Sequence, residues 1–291
     1  MSTDRREFIQ NVALGATAAL STQMLCADEK KPAMRKPNIV FLIADDQRFD
    51  TIRALGNSEI LTPALDGLCR DGTAFTHNCN MGGQNAAVCM PSRAMILTSR
   101  TLFHLHGSGA NIPQDEIMLP ELLRANGYAT HGVGKWHNGQ PSFKRCFESG
   151  GNIFFGGMFN NQFKPAVCQM NAEGSGFSQN KVVDKHATEL FADGAVDFLE
   201  KYKGDKPFFL YTAFTSPHDP RTPPQKYLDM YDPERISLPE NFLPRHPFDN
   251  GEMTIRDEKL APWPRTPDVI RRHIADYYAM ISHLDAEIGR I

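Results

Sequence analysis

The sequence predicts an α/β fold whose central sheet is mainly parallel and flanked by helices. Two runs, PNIVFLIADDQ at 37–47 and KPFFLYTAF at 206–214, are continuously apolar over most of their length. Such runs are typical of parallel strands covered on both faces. Segments with helix-start and helix-stop residues alternate with them. Ionisable residues follow three of the predicted strands, which places a candidate site at the carboxyl edge of the sheet.

The remaining elements are assigned in chain order. The run at 37–47 is expected to be a central strand, and shorter strands are predicted at 73–77 (TAFTH) and 128–134 (YATHGVG). The segment 150–180, rich in Gly, Asn and Phe, is expected to be irregular, and the proline-rich segment 220–267 to be mostly loop. Helices are predicted in LTPALDGLCRDG, MLPELLRANG, KHATELFADGAVDFLEKY and an apolar stripe that starts at Tyr277.

Capping residues set the expected ends of the first two helices. Thr62 can cap the first helix, Pro63 suits its first position, and Gly72 follows its end. Asn126-Gly127 is expected to stop the second helix.

The composition is that of a globular protein, with 41% hydrophobic and 22% charged residues. The formal net charge is -3 and no basic stripe is present, so nucleic acid is not an expected partner. Beyond the N-terminus no run of about 18 apolar residues occurs, and no internal membrane span is expected.

The N-terminus has the pattern of a targeting segment. Arg5-Arg6 precede a weakly apolar run from Val12 to Leu25, and Ala27 is a plausible cleavage point. The twin arginine predicts a Tat-like signal over residues 1–27 and an exported, periplasmic or extracellular protein. An ordinary amphipathic helix or a Sec signal is the alternative.

Six cysteines are present, and removal of Cys26 with the signal leaves five. If Cys89 has a task of its own, the other four are buried thiols or include one structural bridge. No CxxC pair occurs, so a structural zinc site is not expected.

Three predicted strands end in chemically active side chains. These are Asp45-Asp46 after the first run, Lys135 with His137 after 128–134, and His218 after the second run. Adjacent aspartates in a turn suit a hard cation such as calcium or magnesium. The alternative for Asp45-Asp46 alone is a helix cap or a solvated turn.

Cys89 lies in AVCMPSRAMILTSR, residues 87–100, where Pro91 suits the first position of a helix. The thiol is then expected just before a helix N-terminus, where backbone N–H groups favour negative charge. Arg93, one turn further, can pair with an anion or orient the nucleophile. A packed free thiol and the cysteine of a thiol hydrolase are the alternatives.

Five segments of the sequence resemble motifs of the sulfatase family. CMPSRAMILTSR is similar to the signature Cys-x-Pro-Ser-Arg, and IVFLIADDQ, VGKWHNG, FTSPHDPR and YYAMISHLDAEIGRI stand in the family's order. Ser99 stands where the family usually has glycine. The resemblance implies an alkaline-phosphatase-like fold, with residues 37–291 forming the N-terminal part of the catalytic domain.

The resemblance also implies the reaction, which is hydrolysis of a sulfate ester. A formylglycine-generating maturation enzyme would read Pro91 and Arg93 and oxidise Cys89 to Cα-formylglycine, whose hydrated diol attacks sulfur. Asp45 and Asp46, together with an oxygen of residue 89, would bind calcium or magnesium.

The remaining roles follow from the same resemblance. Arg93 would hold the diol, Lys135 would bind sulfate oxygens, and His137 would hydrogen-bond the diol and assist sulfate release. His218 would protonate the leaving alcohol as general acid. The implied substrate is a sulfated small molecule or glycan.

In the family a second metal-binding pair, Asp followed by Asn or His, comes after a further strand and is followed by a second lysine. No segment similar to TSDHG or TSDNG occurs after His218, so nothing there fits this pattern. The expectation is therefore an incomplete sulfatase, and residues 1–291 alone are predicted to be weakly active or inactive. The alternatives are a phosphatase or phosphonate monoester hydrolase of the same superfamily, and a non-catalytic truncated protein.

Overall fold

The computed structural model describes residues 35–79, 81–84, 88–105 and 109–291, and the Tat-like signal predicted at 1–27 lies outside them. Residues 38–291 pack as one unit. Within the described ranges, no helix is both long enough and apolar enough to cross a membrane.

Four strands form a parallel sheet in the order β1-β6-β2-β3, and β4 pairs antiparallel with β5 in a separate hairpin. The α/β fold with a parallel sheet is therefore confirmed. The strands are β1 (Ile39–Asp45), β2 (Ala129–Lys135), β3 (Ser149–Phe154), β4 (Ala166–Val167), β5 (Lys181–Val182) and β6 (Phe208–Pro217). The α-helices are α1 (Pro63–Asp71), α2 (Cys89–Thr98), α3 (Leu119–Ala125), α4 (Gln140–Cys146), α5 (Ala187–Lys201), α6 (Gln225–Leu228) and α7 (Pro267–Arg290).

Strand β6 divides the interior into two cores. Phe209 and Tyr211 pack into one cluster with residues of α2, α3 and α4, whereas Leu210 and Phe214 pack into the other with α5 and α7. This alternation follows from the two-residue period of a strand. The apolar run at 206–214 is thus buried on both faces, as its composition predicts.

The first apolar run forms β1, but the prediction of a central position is wrong for the described sheet. β1 pairs with β6 and lies at the edge of the order, and Val40 is exposed. The strand predicted at 73–77 is also wrong, because those residues are exposed and irregular. TAFTH has strand-forming residues but makes no ladder with a neighbouring strand, and strand propensity alone does not supply one.

The segment 150–180 is less irregular than expected, since it begins with β3. A Cβ on Gly150 would lie 2.8 Å from the Gly132 carbonyl oxygen and 2.9 Å from the Phe143 ring. Glycine therefore permits close packing of β3 on β2 and α4, although it weakens the strand signal in the sequence.

Helix α1 has the predicted bounds but a different cap. The Thr62 hydroxyl accepts the Arg53 N–H and donates to Asp66, and it makes no cap hydrogen bond to the helix backbone. The carboxylate of Asp285, on α7, accepts the N–H groups of Ala64 (3.1 Å) and Leu65 (2.8 Å). A buried residue of the last helix thus caps the first one.

The described cysteines, Cys69, Cys79, Cys89, Cys146 and Cys168, are all free thiols. Of the two alternatives left by the cysteine count, the structure therefore favours thiols over a structural bridge. Cys146 and Cys168 are buried, and burial raises the pKa of both thiols.

Substitution of Gly134 is expected to destabilise the sheet strongly. Gly134 has φ +86°, and an added Cβ would lie directly against the Ala213 carbonyl oxygen of β6. Gly134→Ala should cost about 1–2 kcal/mol for the left-handed backbone and about 1–3 kcal/mol more for the overlap. Gly127 has the same φ with open space around it, so Gly127→Ala should show only the first cost. Chemical denaturation of both variants measures the difference, and equal losses would contradict the proposed overlap.

Candidate active site

The carboxyl ends of β1, β2 and β6 bring the predicted residues together. Asp45 ends β1, Lys135 ends β2, and His218 follows the last residue of β6. These strands are adjacent and parallel, so the expectation that their polar ends share one edge is confirmed.

Asp45 is the centre of a buried charge cluster. Its Oδ2 forms an ion pair with Lys135 Nζ, and its Oδ1 lies 3.6 Å from Arg93 Nη2. Side-chain exposure is 5% for Asp45, 0% for Lys135 and 3% for Arg93. Such a buried cluster holds its members in fixed positions, because each charge would be costly without its partner.

Arg93 is anchored by two further contacts. Its Nη1 donates to the Lys135 carbonyl oxygen (2.9 Å) and to the Tyr211 hydroxyl (3.1 Å). Its Nη2 is buried and makes no hydrogen bond within the described residues. A buried N–H group of this kind can bind an anionic oxygen.

Cys89 is the first residue of α2, and its Sγ lies 3.1 Å from His137 Nδ1. The prediction that Pro91 takes the first helical position is wrong by two residues. The Ser92 N–H bonds to the Val88 carbonyl oxygen (3.0 Å), so the helix begins earlier and Pro91 lies third. Proline fits there because N–H groups of the first turn need no helical partner.

The two adjacent aspartates face different partners. Asp46 has φ +62°, which turns its side chain away from the Asp45 cluster towards His218. Asp46 Oδ2 lies 3.5 Å from His218 Nε2. Burial, and to a smaller extent the neighbouring Asp45 charge, raise the pKa of Asp46.

The sequence did not single out three residues that support the site. The buried amide of Asn138 donates to the carbonyl oxygens of Met90 (3.1 Å) and Gly109 (2.8 Å), and this holds the start of α2. Tyr211 anchors Arg93, and the Tyr277 hydroxyl donates to the Asp46 carbonyl oxygen (2.5 Å). Asn138 lies in VGKWHNG and Tyr277 begins YYAMISHLDAEIGRI, two of the segments that carry the family resemblance, whereas Tyr211 had no such signal.

In the described ranges, five buried or half-buried histidines have lowered pKa values, and His273 is one of them, with burial as the largest cause. Desolvation lowers the pKa of His131, His137 and His186 to about 4 and that of His283 to about 3. For His137 the positive charges of Lys135 and Arg93 add to the burial effect. These side chains are therefore neutral in the folded protein at neutral pH.

The free energy of unfolding is expected to fall as the pH decreases from about 6.5 to about 4. Over this range the unfolded chain binds protons at histidines that stay neutral in the folded state, so stability rises with pH. His283→Gln should flatten this dependence, whereas the exposed His246 offers a control, His246→Gln, that should not. Urea unfolding at several pH values measures the slopes. A wild-type slope of zero or opposite sign would contradict the assignment.

Asp45 and Asp46 supply oxygen donors that suit calcium or magnesium. Burial is the largest cause of the raised pKa of Asp46, followed by the charge of Asp45. The fit is partial, because Asp45 already has two cationic partners. The described residues also contain no group of three or more His, Cys, Asp or Glu able to hold a metal ion.

The site has a cysteine at the start of a helix, next to a histidine and near a buried arginine and a buried lysine. At the edge of a parallel sheet, this arrangement is that of an anion-binding, hydrolase-like site. Residues 37–291 match the sequence profile of the family described as Sulfatase. The chain therefore belongs to the sulfatase family, and its fold is the alkaline-phosphatase-like one.

Individual relatives agree with this assignment. Arylsulfatase J of Mus musculus is 29% identical over 215 residues, covering 67% of this chain and 35% of the relative. N-acetylglucosamine-6-O-sulfatase of Bacteroides thetaiotaomicron is 29% identical over 233 residues, covering 78% of this chain and 38% of the relative. The chain thus spans less than two thirds of these proteins.

Solved structures share the fold. One is described as BT4656 in complex with its substrate D-glucosamine-2-N,6-O-disulfate, and it superposes with a TM-score of 0.63 at 21% identity. The match covers 88% of this chain and 61% of that one. At this identity the likeness shows the architecture alone.

Proposed function

We propose that the protein is a sulfuric ester hydrolase that acts through residue 89. The observation that carries this proposal is the contact of Cys89 with His137 at the start of α2. This contact lies at the sheet edge that also holds the Asp45, Arg93 and Lys135 cluster. Membership of the sulfatase family supports the assignment of the reaction.

Each residue has a role that suits its contacts. Formylglycine made from Cys89 would supply, as its hydrated diol, an oxygen nucleophile for sulfur. His137 accepts or donates a hydrogen bond at residue 89. Arg93 Nη2 lies 3.6 Å from Asp45 Oδ1 and makes no hydrogen bond within the described residues, and it binds an anionic oxygen. Lys135 supplies positive charge next to the sulfate, and His218 donates a proton to the leaving oxygen.

Asp45 and Asp46 are proposed as two ligands of calcium or magnesium. Their carboxylates supply hard oxygen donors of the kind that these cations prefer. When bound, the metal would polarise the sulfate and lower the pKa of the attacking hydroxyl.

The proposed substrate is a carbohydrate sulfate. This proposal rests on relatives, one named N-acetylglucosamine-6-O-sulfatase and one described with a sulfated glucosamine as substrate. The proposal includes export after removal of residues 1–27 and modification of Cys89 by a formylglycine-generating enzyme. It also assigns residues 37–291 to the catalytic domain.

The function is tested by measuring sulfate release from N-acetylglucosamine 6-sulfate and from an aryl sulfate. Hydrolysis of the matching aryl phosphate is measured separately, as the test of the alternative function. The protein is expressed from the complete gene together with a formylglycine-generating enzyme, in the presence of calcium. Faster hydrolysis of the sulfates supports the proposal. Faster hydrolysis of the phosphate, or turnover of neither ester type, would contradict it.

A further inference from the structure

The imidazole of His218 is held from both of its nitrogen atoms. Its Nε2 faces Asp46 across 3.5 Å, towards the site. Its Nδ1 lies 2.9 Å from the backbone oxygen of Asp219 and 3.2 Å from the Asp219 carboxylate atom Oδ1. The residue that follows His218 therefore contacts the ring with both its backbone and its side chain.

Asp219 is in turn fixed by an arginine from a distant loop. Arg256 Nη2 donates to Asp219 Oδ1 (3.1 Å), and Arg256 Nη1 pairs with Asp219 Oδ2. The Asp219 side chain is only 12% exposed, whereas that of Arg256 is 51% exposed. This two-point geometry orients the carboxylate as well as neutralising it.

The charge state of Asp219 agrees with this geometry. Burial alone would raise the pKa of its carboxyl group, but hydrogen bonding to Arg256 and the charges of His218, Arg256 and Arg221 lower it overall. Asp219 is therefore an anion beside the Nδ1 edge of His218. The hydrogen bond of Nδ1 goes to the Asp219 backbone oxygen, and the carboxylate atom Oδ1 lies 3.2 Å from the same nitrogen.

We propose that Asp219 is a positioning residue for His218 in sulfate ester hydrolysis, and that Arg256 holds Asp219 in place. The inference rests on the proposed function. As general acid, His218 reacts with a proton on both ring nitrogens: the Nδ1–H is held by Asp219, and the Nε2–H faces the site. As the oxygen nucleophile at residue 89 forms its bond to sulfur, the S–O bond to the leaving group breaks. The electron pair of that bond stays on the leaving oxygen, and the Nε2 proton moves to that oxygen. A neutral imidazole remains, with its Nδ1–H still bound to Asp219.

If Asp219 positions His218, the effect of its loss on the rate depends on the leaving group of the substrate. If Asp219 only holds the loop together, the effect does not depend on the leaving group. An alkyl alcohol is a poor leaving group and needs the proton, whereas a nitrophenolate leaves without it. Loss of Asp219 should therefore affect a sugar sulfate much more than an activated aryl sulfate. A loop that merely became loose would affect both substrates alike.

The test compares Asp219→Asn with wild type on N-acetylglucosamine 6-sulfate and on 4-nitrophenyl sulfate. We expect kcat on the sugar sulfate to fall by about 10–100-fold, with less than about a threefold change on the aryl sulfate and little change in KM. Asp193→Asn is the matched control, because Asp193 is also paired with an arginine, Arg290, but lies on α5. This control should retain wild-type kcat on both substrates.

Two further variants separate the outcomes. In a His218→Asn background, Asp219→Asn should cause no additional loss, since Asp219 acts through that ring. Arg256→Gln changes an exposed residue, and it should lower kcat on the sugar sulfate by less than Asp219→Asn does. This variant keeps the test valid if Asp219→Asn folds poorly. Equal losses of Asp219→Asn on both substrates, or losses that add to those of His218→Asn, would overturn the inference about Asp219 but not the proposed function. A wild-type protein inactive on both sulfates would overturn the proposed function and the inference with it.

Discussion

Replacement of Cys89 by alanine is expected to reduce sulfate release by at least about 10³-fold, since removal of a nucleophile leaves only the binding and charge contributions. The fold should be retained, because the thiol is half-buried and, among the residues that the structure describes, its hydrogen bond is to His137. Steady-state kinetics and circular dichroism of the variant measure the two effects.

A matched cysteine and a mass spectrum make this prediction specific. Cys69 is also a partly buried free thiol on a helix, and Cys69→Ala should keep wild-type activity. The wild-type peptide that contains residue 89 should have the mass for a CHO group in place of CH₂SH. Full activity of Cys89→Ala, or of a protein whose Cys89 is unmodified, would rule out the proposed nucleophile.

Replacement of Lys135 by methionine is expected to lower the free energy of unfolding by about 3–5 kcal/mol, because it leaves the Asp45 charge buried without its closest partner. Lys135 is fully buried, and the remaining cation, Arg93, lies 3.6 Å from the other carboxylate oxygen. Thermal and urea unfolding of the protein without added metal measure this loss.

An exposed lysine provides the matched comparison. Lys201 also pairs with an aspartate, Asp197, but their side chains are 75% and 57% exposed. Lys201→Met should change stability by less than about 1 kcal/mol, because water screens this pair. Similar losses for both variants would show that burial does not strengthen the Asp45–Lys135 pair.

That the site residues lie close together could be predicted from the sequence, because it follows from the topology of the sheet. Asp45, Lys135 and His218 each follow a strand, and parallel strands place such ends on one edge. Which partner each side chain meets could not be predicted in this way. Because Asp46 has a left-handed backbone, its carboxylate and that of Asp45 contact different partners. That backbone conformation is set by the turn in the folded chain and could not be predicted from the sequence.

The errors in the fold have a common physical cause. TAFTH at 73–77 has strand propensity but makes no ladder, whereas Ser149–Phe154 contains two glycines and forms one. In both cases tertiary contacts outweigh local preference. Tyr211 was missed for a similar reason, since a hydroxyl within an apolar strand gives no signal of the arginine that it meets.

The contact between Tyr277 and Asp46 has a consequence for the order of events during synthesis. Tyr277 holds the Asp46 carbonyl oxygen and accepts the Arg48 N–H (2.9 Å), so this turn is secured only after α7 has been made. Tyr277 leaves the ribosome about 190 residues after Cys89, which corresponds to roughly 10–40 s at typical elongation rates. For that interval Cys89 belongs to an unfinished site, and a modifying enzyme that acted then would meet the thiol before the neighbouring acidic turn is fixed.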